Sequence, residues 1–135
     1  MEAKLSASHI RYLLMLLSLE QEGAGVSCTE LAGALGVKKP SVHGMMATLS
    51  AMELIVRGPR GRAALTPEGR RQAERYRCYA EALHRYLGAV LPETAESREA
   101  VLALLSALPP ECLGAMCGKI MEQFRAEPLR EAAPA

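Results

Sequence analysis

The side chains able to do chemistry are few and unevenly placed. All 15 acidic residues are Glu, and three His (His9, His43, His84) and four Cys (Cys28, Cys78, Cys112, Cys117) complete the metal-ligating and nucleophilic groups. Covalent or hydrolytic catalysis needs a nucleophile beside a base, a glycine loop that cradles phosphate, or a metal triad. No such pattern is legible, and Gly58-Pro59-Arg60-Gly61 reads as a turn tip, so the chain is not expected to be an enzyme. The cysteines form no Cys-x-x-Cys, and the five-residue step from Cys112 to Cys117 puts that pair on different helix faces. They read as reduced thiols packed like small hydrophobes. Glu81 with His84 and Glu96 with Glu99 are same-face pairs and candidate metal donors, although such pairs also arise on any solvated helix.

Basic residues are more informative. From Lys38 to Arg75 eight bases meet three acids, a local net of +5, whereas after Arg75 six bases meet eight acids, a net of −2. A basic stretch inside a chain of overall charge +1 is the footprint of a segment that faces phosphates. A solvated charge run without function is the plain alternative. The elements that carry the stretch decide between the two.

Val (6), Ile (3) and Thr (4) are scarce, so helix is expected nearly everywhere. A first helix is expected from about Ser8 to Glu22, with Ile10, Leu13, Leu14 and Leu17 as its stripe and Met15 and Leu16 adding apolar surface beside it. Gly23 and Gly25 break it. Ser27-x-x-Glu30 opens a short second helix through a capping box, and Gly36 ends it. A third helix begins at Pro40 and runs to about Met52. The segment Ile55 to Thr66 has β-like ends around a Gly/Pro turn and reads as a hairpin. Thr66-Pro67 then starts a long helix to about Leu87, followed by helices from Thr94 to Ala107 and Pro110 to Arg125, separated at Leu108-Pro109-Pro110.

Helix, short helix, tight turn, helix and basic hairpin is the order of a winged helix-turn-helix. In Glu30-Leu31-Ala32-x-x-Leu35-Gly36-Val37-x-x-x-Ser41-Val42, small Ala32 permits a close crossing and Gly36 supplies the left-handed turn. The fold class expected is mainly α, with this N-terminal domain over 1–70, an all-helical domain over 71–125, and a frayed tail over 126–135. An ordinary helical hairpin in a bundle is the competing reading. On the third helix, Val42, Met45, Met46 and Leu49 turn inward, which leaves Pro40, Gly44, Ala47 and Ala51 outward, flanked by Ser41, His43 and Thr48. No Arg, Gln or Asn stands there for bidentate base reading. The expected DNA-contacting set is Lys38, Lys39, Pro40, Ser41, His43, Gly44 and Thr48, with Arg57, Arg60 and Arg62 of the wing on phosphates or the minor groove. A DNA-binding regulator is the first reading. A winged-helix-shaped protein-interaction dimer that does not bind DNA is the second, supported by the bland outward face.

These motifs resemble the diphtheria toxin repressor and manganese transport regulator family, in particular its short two-domain manganese-type members. The resemblance is carried by Leu31-Ala32-x-x-Leu35-Gly36-Val37-Lys38-Lys39-Pro40-Ser41-Val42, by Leu65-Thr66-Pro67-Glu68-Gly69, by Ala82-Leu83-x-x-Tyr86-Leu87, and by Glu99 with Ser106. It covers roughly residues 5 to 125. It implies a homodimer joined through the C-terminal helices, a double-stranded DNA operator, repression of transcription, and control by Mn or Fe held between the first helix and the dimerisation helices. The third, SH3-like domain of iron-type members is expected to be absent. The implied ligands are mostly replaced: the early acids fall on Ser8 and Arg11, the long-helix histidine on Ala80, and Glu-x-x-Glu-His on Glu99-Ala100-Val101-Leu102-Ala103. One ligand of six remains, so metal control is expected to be lost or altered, and an apolar small molecule is the alternative effector. His84 falls near a position of an ancillary site in iron-type relatives. No apolar run reaches the roughly 20 residues that span a bilayer, so no membrane partner is expected and the location expected is the cytoplasm.

Overall fold

The computed structural model describes residues 4–20, 24–90 and 96–126, with the side chains of 96, 97 and 124–126 outside that description. Leu5–Arg77 form one compact unit, and the other described residues, Lys4 with 78–90 and 96–126, group in the second.

In the first unit, α1 (Ala7–Leu19) begins at Ser6, whose hydroxyl accepts from the His9 amide while His9 Nδ1 accepts from the Ser6 amide. The helix stops at Leu19, short of the Glu22 that propensity suggests, because Glu20 leaves helical geometry (φ −68°, ψ 129°). Its carboxylate accepts instead from the Leu65 amide at 3.0 Å and pairs with Arg70. A nearly buried carboxylate with two donors outweighs one more helical residue. The buried face of α1 is Ile10, Tyr12, Leu13 and Leu16, while Leu14 and Leu17 are only half-buried.

The second helix, α2 (Cys28–Leu35), has the reciprocal capping box: Ser27 Oγ accepts from the Glu30 amide at 3.1 Å, and Glu30 Oε1 from the Ser27 amide at 3.3 Å. Gly36 closes it at φ 69°, a left-handed conformation that Cβ-bearing residues resist. Then α3 (Lys39–Ala51) packs Val42, Met46 and Leu49 into the core and turns at Met52. Strands β1 (Ile55–Arg57) and β2 (Ala63–Leu65) pair antiparallel in the register Ile55 to Leu65 and Arg57 to Ala63. Val26 adds an antiparallel bridge to Ala63, through two backbone hydrogen bonds of 2.7 and 2.8 Å.

Thr66 caps α4 (Pro67–Val90) by accepting from the Gly69 amide at 2.9 Å, while its own hydroxyl donates to the Glu53 carbonyl. Gly69 is required by contact: a Cβ there would lie 1.9 Å from the Leu54 carbonyl oxygen. The start of α4 is thereby pressed onto the end of the α3 turn.

The second unit contains the C-terminal part of α4 with α5 (Glu96–Ala107) and α6 (Pro110–Ala126). Its buried residues are Ala82, Leu83, Val101, Leu105, Leu113, Cys117 and Ile120. Pro109 separates α5 from α6, as the Pro-Pro pair requires. The expected start at Thr94 and the tail beyond Ala126 lie outside the described residues. The long helix runs three residues past Leu87, to Val90.

Candidate nucleic-acid interface

The outward face of α3 is built by subtraction. Burying Val42, Met46 and Leu49, with Met45 half-buried, leaves Lys39, Pro40, Ser41, His43, Gly44, Ala47, Thr48 and Ala51 exposed. Nothing within 4 Å would meet a Cβ at Gly44, so no packing demand inside the protein explains a glycine in mid-helix. Thr48 Oγ1 donates to the Gly44 carbonyl at 3.1 Å, which uses its only proton and leaves lone pairs and a methyl group outward. Lys38 is the N-cap residue and makes no side-chain cap, and Pro40 brings no amide proton. The helix start therefore carries two exposed lysines beside a cap that no side chain fills. That is the electrostatic profile a phosphate meets favourably.

The wing arginines differ from one another. Arg57 Nε donates to the Gly61 carbonyl at 3.2 Å and its Nη2 to Cys28 Sγ at 3.7 Å. Arg62 donates from Nε to the Ala24 carbonyl at 3.0 Å and from Nη2 to both the Gly25 carbonyl and Glu30 Oε1 at 3.0 Å. Arg60 sits at the tip, in the Pro59–Gly61 turn, at φ 62°. It is exposed and makes no hydrogen bond or ion pair with a described residue. Left-handed backbone is costly for a side chain of this kind, by about 1 kcal/mol or more, so the tip holds its charge outward against local preference.

Three residues outside the expected DNA-contacting set complete the arrangement. Cys28 lies at the first turn of α2, with its sulfur 3.8 Å from His43 Nδ1 and in reach of Arg57, so it touches both the outward helix and the wing. Glu30 serves the capping box and Arg62 together. Its carboxyl is held below the ordinary value, chiefly by the Ser27 backbone amide, then by the Ser27 hydroxyl, with Arg62 contributing charge. Glu20 joins α1 to β2 and α4. The capping-box signal for Glu30 was present in the sequence, but nothing local announced its long-range partner.

The candidate metal donors are not gathered into a site. Glu81, His84 and Glu99 are exposed, and the Glu96 side chain lies outside the described residues. Among the described residues no group of three or more His, Cys or Glu could hold a metal ion. Cys78 and Cys112 are exposed, whereas Cys117 is buried and donates to the Tyr79 carbonyl at 3.8 Å. Burial pushes the Cys117 thiol up, and Cys78 adds to the effect. No helix among the described residues is long and apolar enough to cross a membrane.

A winged helix-turn-helix followed by a helical unit is thus the class that fold and surface define. Residues 4–63 match the family model described as the iron dependent repressor, N-terminal DNA binding domain. Three solved structures illustrate the likeness. A hypothetical protein from Sulfolobus solfataricus superposes with TM-score 0.66 at 17% identity, over 86% of this chain and 89% of that one. IdeR of T. acidophilum gives 0.64 at 17%, over 92% of this chain and 55% of that chain. The manganese regulator SloR gives 0.67 at 20%, over 82% and 53%. The chain spans about half the length of the latter two. The resemblance to the diphtheria toxin repressor and manganese transport regulator family, read from motifs, accordingly stands. No curated protein sequence matches the chain.

Proposed function

We propose that the chain is a dimeric DNA-binding transcriptional regulator, a repressor by family resemblance, whose response to Mn or Fe is lost or altered. The observation that carries it is the outward surface of a matched DNA-binding domain: Lys38, Lys39 and Arg60 are all exposed around an α3 face of small side chains. Cations near phosphates release counterions on binding, and a bare helix surface admits close approach to a groove. With no Arg, Gln or Asn on that face, sequence discrimination rests on His43, thymine-methyl contact by Ala47 or Thr48, and duplex shape. Dimerisation through the C-terminal unit is supported by Tyr86 and Val90, large apolar side chains that are 43% and 56% exposed.

The donor set at the family's metal positions does not fit a divalent cation. Ser8, Arg11, Ala80, Leu102 and Ala103 offer neither carboxylate nor imidazole, and Glu99 alone keeps a hard anionic ligand. Arg11 is engaged elsewhere, its Nη2 donating to the Leu35 carbonyl at 2.9 Å.

Binding to fragmented genomic DNA tests the reading. Lys39→Ala with Arg60→Ala should weaken affinity and reduce the salt slope by about 0.9 unit per lost phosphate contact. Absence of salt-dependent binding by the unaltered dimer would leave the protein-interaction reading in its place.

A further inference from the structure

The geometry points to Arg62 as a positioning residue: a latch that fixes the wing to the start of α2, so that Arg60 is delivered at a set distance from α3. This inference rests on the DNA-binding reading and assigns the wing arginines different roles within it. Two guanidinium nitrogens of Arg62 supply three hydrogen bonds, all to one short stretch of the opposite element: Ala24 O, Gly25 O and Glu30 Oε1, each at 3.0 Å. The planar fork of arginine suits this divergent set of acceptors, and an ammonium on a flexible stem does not. Immediately beside it, Val26 and Ala63 exchange backbone hydrogen bonds of 2.7 and 2.8 Å. The base of the wing is therefore held by an isolated β-bridge plus one side-chain clamp.

Glu30 closes the arrangement. Its Oε1 accepts from the Ser27 amide and from Arg62, so the residue that starts α2 also holds the wing. The Arg62 and Glu30 side chains are 39% and 49% exposed, and a pair so wet adds little to global stability. Its effect is on orientation. A two-stranded hairpin of three residues per strand is marginal alone and needs an anchor to keep one angle. The anchor is local to the wing, which leaves the core untouched when it is removed.

The test uses the full chain, random-sequence duplex DNA, and four variants: Arg62→Ala, Arg62→Lys, Glu30→Gln and, for comparison, Arg60→Ala. A phosphate contact such as Arg60 should lose affinity together with about 0.9 unit of salt slope. Arg62→Ala and Arg62→Lys should both weaken binding about threefold or more with the slope unchanged, since a lysine keeps the charge but not the fork. Glu30→Gln, which still completes a capping box, should also weaken binding although it removes a negative charge near the DNA. Amide hydrogen exchange at Val26 and Ala63 should quicken in these three variants and not in Arg60→Ala. Near-normal affinity of Arg62→Lys, a slope loss in Arg62→Ala equal to that of Arg60→Ala, or unchanged exchange in Arg62→Ala would each overturn the latch. Failure of the unaltered protein to bind duplex DNA overturns the DNA-binding reading instead, and the exchange measurement then decides the latch on its own.

Discussion

Cys28 Sγ lies 3.8 Å from Nδ1 of His43, joining the first turn of α2 to the outward face of α3. Arg57 reaches the same sulfur from β1, so one half-buried thiol borders helix and wing together. A group attached there would stand where the proposed duplex lies. In a Cys78→Ser, Cys112→Ser protein, alkylation of Cys28 by a maleimide should abolish DNA binding, and bound DNA should slow the alkylation. Cys117 should stay unmodified in the folded protein, because burial disfavours its thiolate. Mass analysis of the labelled protein with and without duplex reads both; equal Cys28 labelling rates would place the duplex elsewhere.

Gly44 offers a second test, in which stability and binding move in opposite directions. A glycine in mid-helix is less stable than alanine by about 0.5 to 1 kcal/mol, and here a Cβ would meet open space. Gly44→Ala should accordingly raise the melting temperature by roughly 2 to 6 °C. It should also weaken DNA binding, since the added methyl group occupies the barest part of the α3 face. Unchanged affinity in a stabilised variant would mean that α3 does not approach a groove closely.

Much of this was legible because the informative signals are local. Ser27-x-x-Glu30, Gly36 and Pro40 specify the ends of α2 and α3 through hydrogen bonds within a few residues, and the structure places those ends within a residue or so of expectation. The hairpin likewise follows from the apolar ends and the Gly/Pro turn between them. What pattern reading missed depends on partners far along the chain. Glu20 ends α1 early because its carboxylate serves Leu65 and Arg70, 45 and 50 residues away. The three wing arginines look alike in sequence, yet only the fold brings Ala24, Gly25 and Glu30 within reach of Arg62 and leaves Arg60 outward. Gly69 closes the motif Leu65-Thr66-Pro67-Glu68-Gly69, but the reason for a glycine there, contact with the Leu54 backbone, is tertiary.

The pH dependence of stability should carry a Glu30 signature. Its folded-state carboxyl is held below the ordinary 4.5, first by the Ser27 amide and then by the Ser27 hydroxyl and Arg62. A lowered folded value means that the stabilisation is complete above the unfolded value and is lost as pH falls through the folded one. Melting temperature followed from about pH 6 to about pH 3 should therefore drop more steeply in the unaltered protein than in Glu30→Gln, which cannot titrate. Parallel curves would show that the capping carboxylate contributes nothing through its charge. The effect is expected to be small, because Glu30 is exposed.

Metal removal gives the remaining prediction, and it separates this chain from the behaviour its family resemblance implies. Coupling between a metal and operator binding requires that the cation bind one conformation better than another, which in turn requires ligands. At the corresponding positions the chain presents Ser8, Arg11, Ala80, Leu102 and Ala103, with Glu99 as the one carboxylate. A lone exposed carboxylate holds a divalent cation too weakly to bias the fold. DNA affinity measured with chelator, and again with stoichiometric Mn or Fe, should differ by much less than tenfold. A tenfold rise corresponds to a coupling of about 1.4 kcal/mol, enough to require a built site, and would refute the loss of metal control. Restoring the carboxylate and imidazole ligands, through Ser8→Glu, Arg11→Glu, Ala80→His, Leu102→Glu and Ala103→His together, should create a metal-dependent gain in affinity.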